Sequence, residues 1–90
     1  MREIFQKNRF KADLKRIKRS GRHDVTELLL IVNDLANDVP LSEKYHDHAL
    51  SGDWIDHRDC HIRSDWVLIY RLEPDQLILV RTGSHSELFD

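Results

Sequence analysis

The residues best suited to chemistry in this sequence lie in the segment Asp56–Asp65, which reads DHRDCHIRSD. The segment holds two histidines, His57 and His61, and three aspartates, and it runs directly into the apolar stretch WVLIYRL. Histidine changes its charge near neutral pH, and a neighbouring carboxylate can fix its tautomer and stabilise its charged form. The segment therefore admits three interpretations: an acid–base catalytic face, a metal site or an ordinary solvated strand.

Alternation of side chains along a strand divides this segment into two faces. His57, Asp59 and His61 share one face, whereas Cys60 points to the other. This arrangement argues against a nucleophile pair formed by Cys60 and His61. Cys60 is predicted to be a small core residue. Because it is the only cysteine, an internal disulfide is excluded, and a cytoplasmic location is expected.

The histidine pairs His46-x-His48 and His57-x3-His61 offer imidazoles for zinc. The second pair has the spacing used on a helix, but its neighbours are typical of a strand. The sequence has no cysteine pair and no H-E-x-x-H motif. We therefore expect no metal and no cofactor, and a small histidine-rich metal-binding protein stays open as an alternative.

Acid–base chemistry without a metal is sufficient to cleave RNA. One group takes the proton of the ribose 2′-hydroxyl, a cation stabilises the charge on phosphorus, and another group protonates the leaving 5′-oxygen. Asp59 and Asp65 are candidates to orient the imidazoles. Arg81, in the last predicted strand and close in sequence to His85, is a suitable cation.

The C-terminal stretch RTGSHSELFD supplies a further candidate group. Thr82-Gly83-Ser84 is expected to break the strand and to place His85 at the edge of the sheet, four residues before Phe89. An aromatic ring beside a histidine can stack on an RNA base. The alternative is that Phe89 and Leu88 simply anchor the tail by packing.

The net charge of −2 hides a strong asymmetry. Residues 1–22 contain nine basic and two acidic residues, and residues 23–90 contain five basic and fourteen acidic ones. A basic block indicates a polyanionic or acidic partner, with a solvated helix face as the alternative. The basic side chains on the outer side of the predicted helix include Lys11, Lys15, Arg16, Lys18 and Arg19. No apolar run approaches the ~20 residues that cross a bilayer, so no membrane partner is expected.

Hydrophobic spacing predicts the elements that must position these groups. We expect a short strand at 2–6, a helix at 7–20, and a second helix that begins after the N-cap Asp24, with Glu27 in a capping-box position. Residues 38–54 show no sustained period, and three strand-like runs follow them. The prediction is a single α+β domain over residues 1–90, with an N-terminal strand, two helices, an antiparallel three-strand meander, and the helices packed on one face of the sheet.

Three stretches of the sequence together resemble one protein family: HDHALSGDW, RDCHIRSDWVLIY and RTGSHSELF. They are similar to the C-terminal half of YafQ-type toxins, which belong to the RelE/ParE superfamily of bacterial toxin–antitoxin modules. The likeness is close over about half of the chain, and the helical half matches in layout. It implies a RelE-like fold over residues 1–90.

The resemblance also implies an activity. A member of this family is a ribosome-dependent mRNA endonuclease that works on the 70S ribosome, and a cognate antitoxin binds and neutralises it in a hetero-oligomer. The basic helix would then dock on ribosomal RNA. The catalytic residues that the resemblance implies are His48, His61, Asp65 and His85, and the supporting ones are Asp59 and Phe89. Arg81, chosen above as the cation, is a further supporting residue.

The sequence departs from the family pattern at two positions. An often aromatic position is His57 here, which we place at the rim of the site, and an often-proline position is Ala49. His46 and His23 inherit no role from the family and are expected to be surface residues. A non-catalytic RelE/ParE-like binding module is the second alternative, although ParE-like relatives lack this histidine set.

Overall fold

The computed structural model describes residues 1–89 and contains a five-stranded sheet with three α-helices. The strands are β1 (Glu3–Gln6), β2 (His48–Ala49), β3 (Arg58–Arg63), β4 (Trp66–Leu72) and β5 (Gln76–Gly83), and the helices are α1 (Asn8–Ser20), α2 (Val25–Ala36) and α3 (His85–Phe89). Single-turn 3-10 helices at Glu43–Tyr45 and Gly52–Trp54 lie between α2 and β3. No helix within the described residues is long and apolar enough to span a membrane.

Helix α1 forms because its apolar residues recur at helical spacing, and together they make one narrow stripe that packs against the core. Phe10 and Ile17 are buried, and the partly buried Leu14 packs against the same core. Gly21 ends the helix in the left-handed conformation, with φ of 67°, which glycine adopts without steric cost. The predicted helix at 7–20 is confirmed apart from its first residue.

Helix α2 begins at its N-cap, as predicted. A side-chain oxygen of Asp24 accepts a hydrogen bond from the Thr26 N–H at 2.9 Å. Glu27 does not complete a capping box, because its carboxylate pairs with the Arg63 guanidinium of β3. The capping-box residue therefore ties the helix to the sheet instead of closing the helix end.

The sheet is mixed, with the strand order β1-β5-β4-β3-β2. Strands β3, β4 and β5 form an antiparallel meander with β4 at the centre. The prediction was incomplete in two respects. Strand β1 joins the sheet parallel to β5, and a fifth strand, β2, pairs antiparallel with β3 inside the segment expected to be irregular. A strand of two residues has no readable period, so only its partner reveals it.

The two faces of the sheet carry separate apolar clusters. Helices α1 and α2 pack on one face, over Trp66, Leu68 and Tyr70 among others. The opposite face holds Val67 and Ile69, which pack with residues of the β2–β3 connection and with α3. The predicted packing on one face thus applies to α1 and α2, whereas the unpredicted α3 lies on the other.

Cys60 belongs to the core on the α1–α2 side and is fully buried. Burial, together with the nearby carboxylates of Asp47 and Asp59, raises the pKa of its thiol to about 12. A thiol with so high a pKa is not a nucleophile at neutral pH. The prediction that Cys60 is a packing residue is confirmed.

Candidate active site

Pairing of β2 with β3 places His48 opposite Asp59. His61 lies two residues further along β3, and its ring centroid is 6.5 Å from that of His48. Because side chains alternate along a strand, Asp59 and His61 share a face, as expected. Two imidazoles from separate strands therefore flank one carboxylate.

The Asp59 carboxylate is the centre of this group. Asp59 is only 2% exposed, and burial raises its pKa above the ordinary value, whereas the nearby imidazoles of His48, His61 and His85 act in the opposite direction. The three histidines predicted from sequence thus lie near one buried carboxylate. We call the group formed by His48, Asp59, His61 and His85 the histidine cleft.

The Nδ1 atom of His48 has two oxygen atoms within reach. The main-chain oxygen of His46 lies at 2.7 Å and Oδ1 of Asp59 at 3.1 Å. The hydrogen bond goes to His46, and the buried Oδ1 of Asp59 has no hydrogen-bond partner. Because a carbonyl oxygen only accepts, Nδ1 carries the proton, and the neutral ring has its lone pair on Nε2. His48 therefore has the tautomer of a proton acceptor at Nε2.

His85 is the first residue of α3, and its backbone N–H donates to Oδ1 of Asp65 at 3.3 Å. Asp65 was expected to orient or charge an imidazole, but the contact it makes is with the His85 backbone. A capping box fixes the helix start: the Ser84 N–H donates to Glu87 Oε1 at 2.8 Å, and the Glu87 N–H donates to Ser84 Oγ at 3.2 Å. This S-x-x-E motif is the sequence signal from which α3 could have been predicted.

A row of rings borders the histidine cleft. The Phe89 ring lies 4.8 Å from that of His85, Trp54 lies 6.4 Å from Phe89, and His57 lies 5.3 Å from Trp54, all between ring centroids. Phe89 also packs against the cluster that contains Leu88, so both expected uses of this ring are compatible with its position. Trp54 is a member of the row that was not predicted as a site residue.

Arg81 is held by an acid that was not predicted to matter. Its Nε and Nη2 atoms donate to the two carboxylate oxygens of Asp13, at 2.7 and 3.1 Å, and the Thr82 N–H donates to the same carboxylate at 3.2 Å. Asp13 is 3% exposed. Burial alone would raise the pKa of its carboxyl, but these bonds and the charges of Arg81 and Arg16 outweigh burial and lower it. Only Nη1 of Arg81 is left unused by Asp13.

Helix α1 carries the predicted basic contacts, and of these, within residues 1–89, only Arg16 is shown to reach α3. Helix α1 packs on the sheet face that carries Cys60, opposite to the face that carries Asp59. Arg16 is engaged in ion pairs with Asp13 and Glu87, each at 3.3 Å. The other four predicted contacts are exposed on the helix: Lys11, Lys15, Lys18 and Arg19.

An open cavity of about 1170 Å³ borders the cleft, and its lining includes Leu30 of α2 together with His46, His48 and His61. Pockets for small ligands have roughly 300–1,000 Å³, so the cavity has room for part of an RNA strand. His46 was expected to be a surface residue. It is exposed, but its ring meets that of His61 edge-on at 5.7 Å. Over residues 1–89, no group of three or more His, Cys, Asp or Glu side chains is arranged to hold a metal ion.

Residues 2–90 match the model of a family described as the bacterial toxin of type II toxin–antitoxin system, YafQ. The mRNA interferase toxin YafQ of Escherichia coli K12 is 38% identical over 89 residues, which cover 98% of this chain and 96% of that protein. The crystal structure of the E. coli DinJ–YafQ complex aligns with a TM-score of 0.90 and 35% identity over the full length of both chains. A copper-bound mutant toxin from Helicobacter pylori aligns with a TM-score of 0.94 and 39% identity over 99% of this chain and 100% of that one.

The mixed sheet, the histidine cleft and these similarities define a bacterial toxin of a type II toxin–antitoxin system. The chain belongs to the YafQ family. The resemblance seen in the sequence is thereby confirmed, and with it the α+β fold class.

Proposed function

We propose that the protein is a ribosome-dependent mRNA interferase, an endoribonuclease that cuts messages on the 70S ribosome in the cytoplasm and stops their translation. The observation that carries this proposal is the approach of three imidazoles to one buried carboxylate, beside an aromatic ring and an open cavity. The E. coli relative is an mRNA interferase, which supports the same activity here.

His48 is the general base of the proposed reaction. Its Nε2 lone pair accepts the proton of a ribose 2′-hydroxyl, and the freed oxygen forms a bond to the adjacent phosphorus. The bond from phosphorus to the 5′-oxygen breaks in the same displacement. The products are a 2′,3′-cyclic phosphate and a 5′-hydroxyl end, so no metal-bound water is required.

His85 is the general acid, and it protonates the leaving 5′-oxygen. The Asp65 carboxylate and the Ser84–Glu87 capping box hold the start of α3, and they thereby fix where the His85 ring enters the cleft. The Phe89 ring, four residues on and 4.8 Å from the His85 ring, offers a surface on which a base next to the cut bond can stack.

His61 and Arg81 stabilise the charge that develops on the phosphate oxygens. His61 acts as an imidazolium next to His48, and Arg81 acts through its free Nη1 atom. Asp59 stabilises the imidazolium forms of the cleft histidines, because an uncompensated buried carboxylate gains from every positive charge brought near it.

The partners follow from the same assignment. The exposed basic side chains of α1 bind ribosomal RNA through phosphate contacts, and they do so from the face opposite to the histidine cleft. A cognate antitoxin neutralises the protein in a hetero-oligomer. The solved complex of the E. coli relative YafQ with DinJ supports this partnership.

The test is to add the purified protein to a translating extract and to map new mRNA 5′ ends by primer extension. We expect cuts in phase with codons, and we expect His85→Ala and His48→Ala to abolish them. His23→Ala, which removes a histidine stacked on Trp66 outside the cleft, is the matched control and should cut normally. Unphased ends, or full cutting by His85→Ala, would overturn the proposal.

A further inference from the structure

His46 is held in an uncommon backbone conformation immediately before the histidine cleft. It follows the 3-10 helix Glu43–Tyr45, and its φ of 49° and ψ of 45° lie in the left-handed region. Its N–H donates to the Glu43 carbonyl at 3.0 Å, which closes the turn. Non-glycine residues seldom adopt this conformation, although histidine, asparagine and aspartate do so more often than others.

The consequence of this turn is the direction of the His46 carbonyl. Its oxygen lies 2.7 Å from Nδ1 of His48, two residues along the chain. The carbonyl oxygen accepts the hydrogen bond from the Nδ1–H group of His48. Oδ1 of Asp59 lies only 3.1 Å from the same nitrogen but has no hydrogen-bond partner among residues 1–89. The hydrogen bond to the main-chain carbonyl orients the His48 ring and holds the proton on Nδ1, and the Asp59 carboxylate beside the same atom favours the same tautomer.

We propose that His46 is a positioning residue for the reaction. Its left-handed backbone aims a carbonyl at Nδ1 of His48, and that contact fixes the ring orientation and keeps the lone pair on Nε2. The inference rests on the proposed function, in which His48 is the base. The His46 imidazole, 5.7 Å from that of His61, is not required for this role. The essential property of position 46 is its backbone conformation.

Substitutions at position 46 can distinguish the effect of the backbone conformation from the effect of the imidazole ring. His46→Gly and His46→Asn remove the imidazole but tolerate the left-handed region, whereas His46→Val removes it and strongly disfavours that region. We expect the glycine and asparagine variants to keep kcat within about threefold of wild type. The valine variant should lose kcat by roughly tenfold or more with little change in KM, since a base whose ring is wrongly oriented is a catalytic defect.

His46→Ala provides a second, milder test in case the valine variant does not fold. Alanine disfavours the left-handed region less than a β-branched residue does, so its kcat should fall between those of the asparagine and valine variants. Thermal unfolding of each variant shows whether it is folded at the assay temperature. Two results would overturn the proposal: glycine and valine variants that lose kcat equally, or alanine and valine variants that match the wild type.

A spectroscopic measurement tests the same contact without any cleavage. Nitrogen-15 NMR of the His48 ring should show a protonated Nδ1 and an unprotonated Nε2 in the wild type and in His46→Gly. In the alanine and valine variants the Nδ1 proton should exchange with solvent faster, because its main-chain acceptor is displaced. If the wild-type protein fails to cut mRNA but shows this pattern, the proposed function fails and the positioning role stands. If His48 in the wild type carries its proton on Nε2, the positioning role fails whatever the activity.

Discussion

Asp13 and Arg81 lie 68 positions apart in the sequence and form a two-point ion pair that ties α1 to β5. The same carboxylate accepts the Thr82 N–H at 3.2 Å, on a stretch of β5 beyond the reach of β1. One buried acid thus satisfies a strand backbone group and orients Arg81, to which the proposed reaction assigns a role. The pair therefore links the stability of the fold to the proposed chemistry.

Replacement of Asp13 by Asn should therefore lower the stability of the fold and weaken the orientation of Arg81. The substitution leaves the Arg81 guanidinium largely buried and unpaired, a change that typically costs about 3 kcal/mol of unfolding free energy. Urea unfolding measures the loss. In the Asp13→Asn background, Arg81→Gln should cost much less than in the wild type. Simple additivity of the two changes would show that the pair is not coupled.

The same pair predicts how stability depends on acid. The pKa of Asp13 is lowered in the folded protein, so its contribution is present above the ordinary value of 3.8 and is lost as the pH falls through the lowered value. The difference in unfolding free energy between wild type and Asp13→Asn should shrink below about pH 4. A difference that stays constant down to pH 2 would contradict this account.

Asp59 behaves in the opposite way, because burial raises its pKa. The folded protein holds this proton more tightly than the unfolded chain, so the stabilising effect is complete below the ordinary value of 3.8 and is lost as the pH rises through the raised value. At pH 7 the ionised carboxylate is a cost to the fold. We expect Asp59→Asn to raise Tm at pH 7 by a few degrees, since about 1 kcal/mol shifts the Tm of a domain this size by roughly 4–8 °C.

The gain in stability should be accompanied by a loss of activity, because the cleft imidazoles lose the charge that stabilises their protonated forms. Asp53→Asn, an exposed site between β2 and β3, is the matched control and should change neither property. The Tm difference between Asp59→Asn and the wild type should narrow as the pH approaches 4. An Asp59→Asn variant that is less stable than the wild type at pH 7 would rule out the explanation from burial.

Much of the helical and central-strand framework could be predicted because local pattern and tertiary packing agree there. The spacing of Phe10, Leu14 and Ile17 defines α1, and apolar residues on both faces of β4 define a central strand. Alternation along β3 predicts that Cys60 faces away from the histidines, and the register of the strand confirms it. In each case the signal lies within a few neighbouring residues.

The parts that could not be predicted depend on distant partners. Strand β2 has two residues and exists only through its pairing with β3, and nothing local makes β1 parallel to β5. In the sequence, Asp13 looks like an ordinary surface acid on a basic helix. Its role is visible only in the fold, where Arg81 and Thr82 lie beside it. The hydrogen bond from His48 to a backbone carbonyl is equally invisible, because it depends on the left-handed conformation of His46.

The capping box at the start of α3 yields a fourth prediction. Ser84→Ala removes the oxygen that accepts the Glu87 N–H, and such a cap contributes about 1 kcal/mol. Because His85 is the next residue, fraying of this turn should lower kcat more than it raises KM. Ser84→Thr keeps a hydroxyl and should retain both stability and activity. Equal activity of the alanine and threonine variants would separate the cap from catalysis.

The exposed side chains of α1 yield the last prediction. Lys15 and Lys18 are exposed and lie on the helix that packs against the sheet face opposite to the histidine cleft. If they contact ribosomal phosphates, Lys15→Gln together with Lys18→Gln should weaken binding to 70S ribosomes in sedimentation assays at low salt, and the difference from the wild type should narrow as the salt concentration rises. Each lost phosphate contact should also reduce the slope of log K against log salt by about one.

This pair of substitutions should leave Tm unchanged, because neither side chain is buried, and in ribosome-dependent cleavage it should raise KM while sparing kcat. The pattern distinguishes docking from chemistry: His85→Ala should bind ribosomes with the wild-type salt slope and yet fail to cut. Were the double glutamine variant to bind with an unchanged slope, the basic face of α1 would be a solvated surface, and the ribosome contacts would have to lie on the cleft side of the sheet.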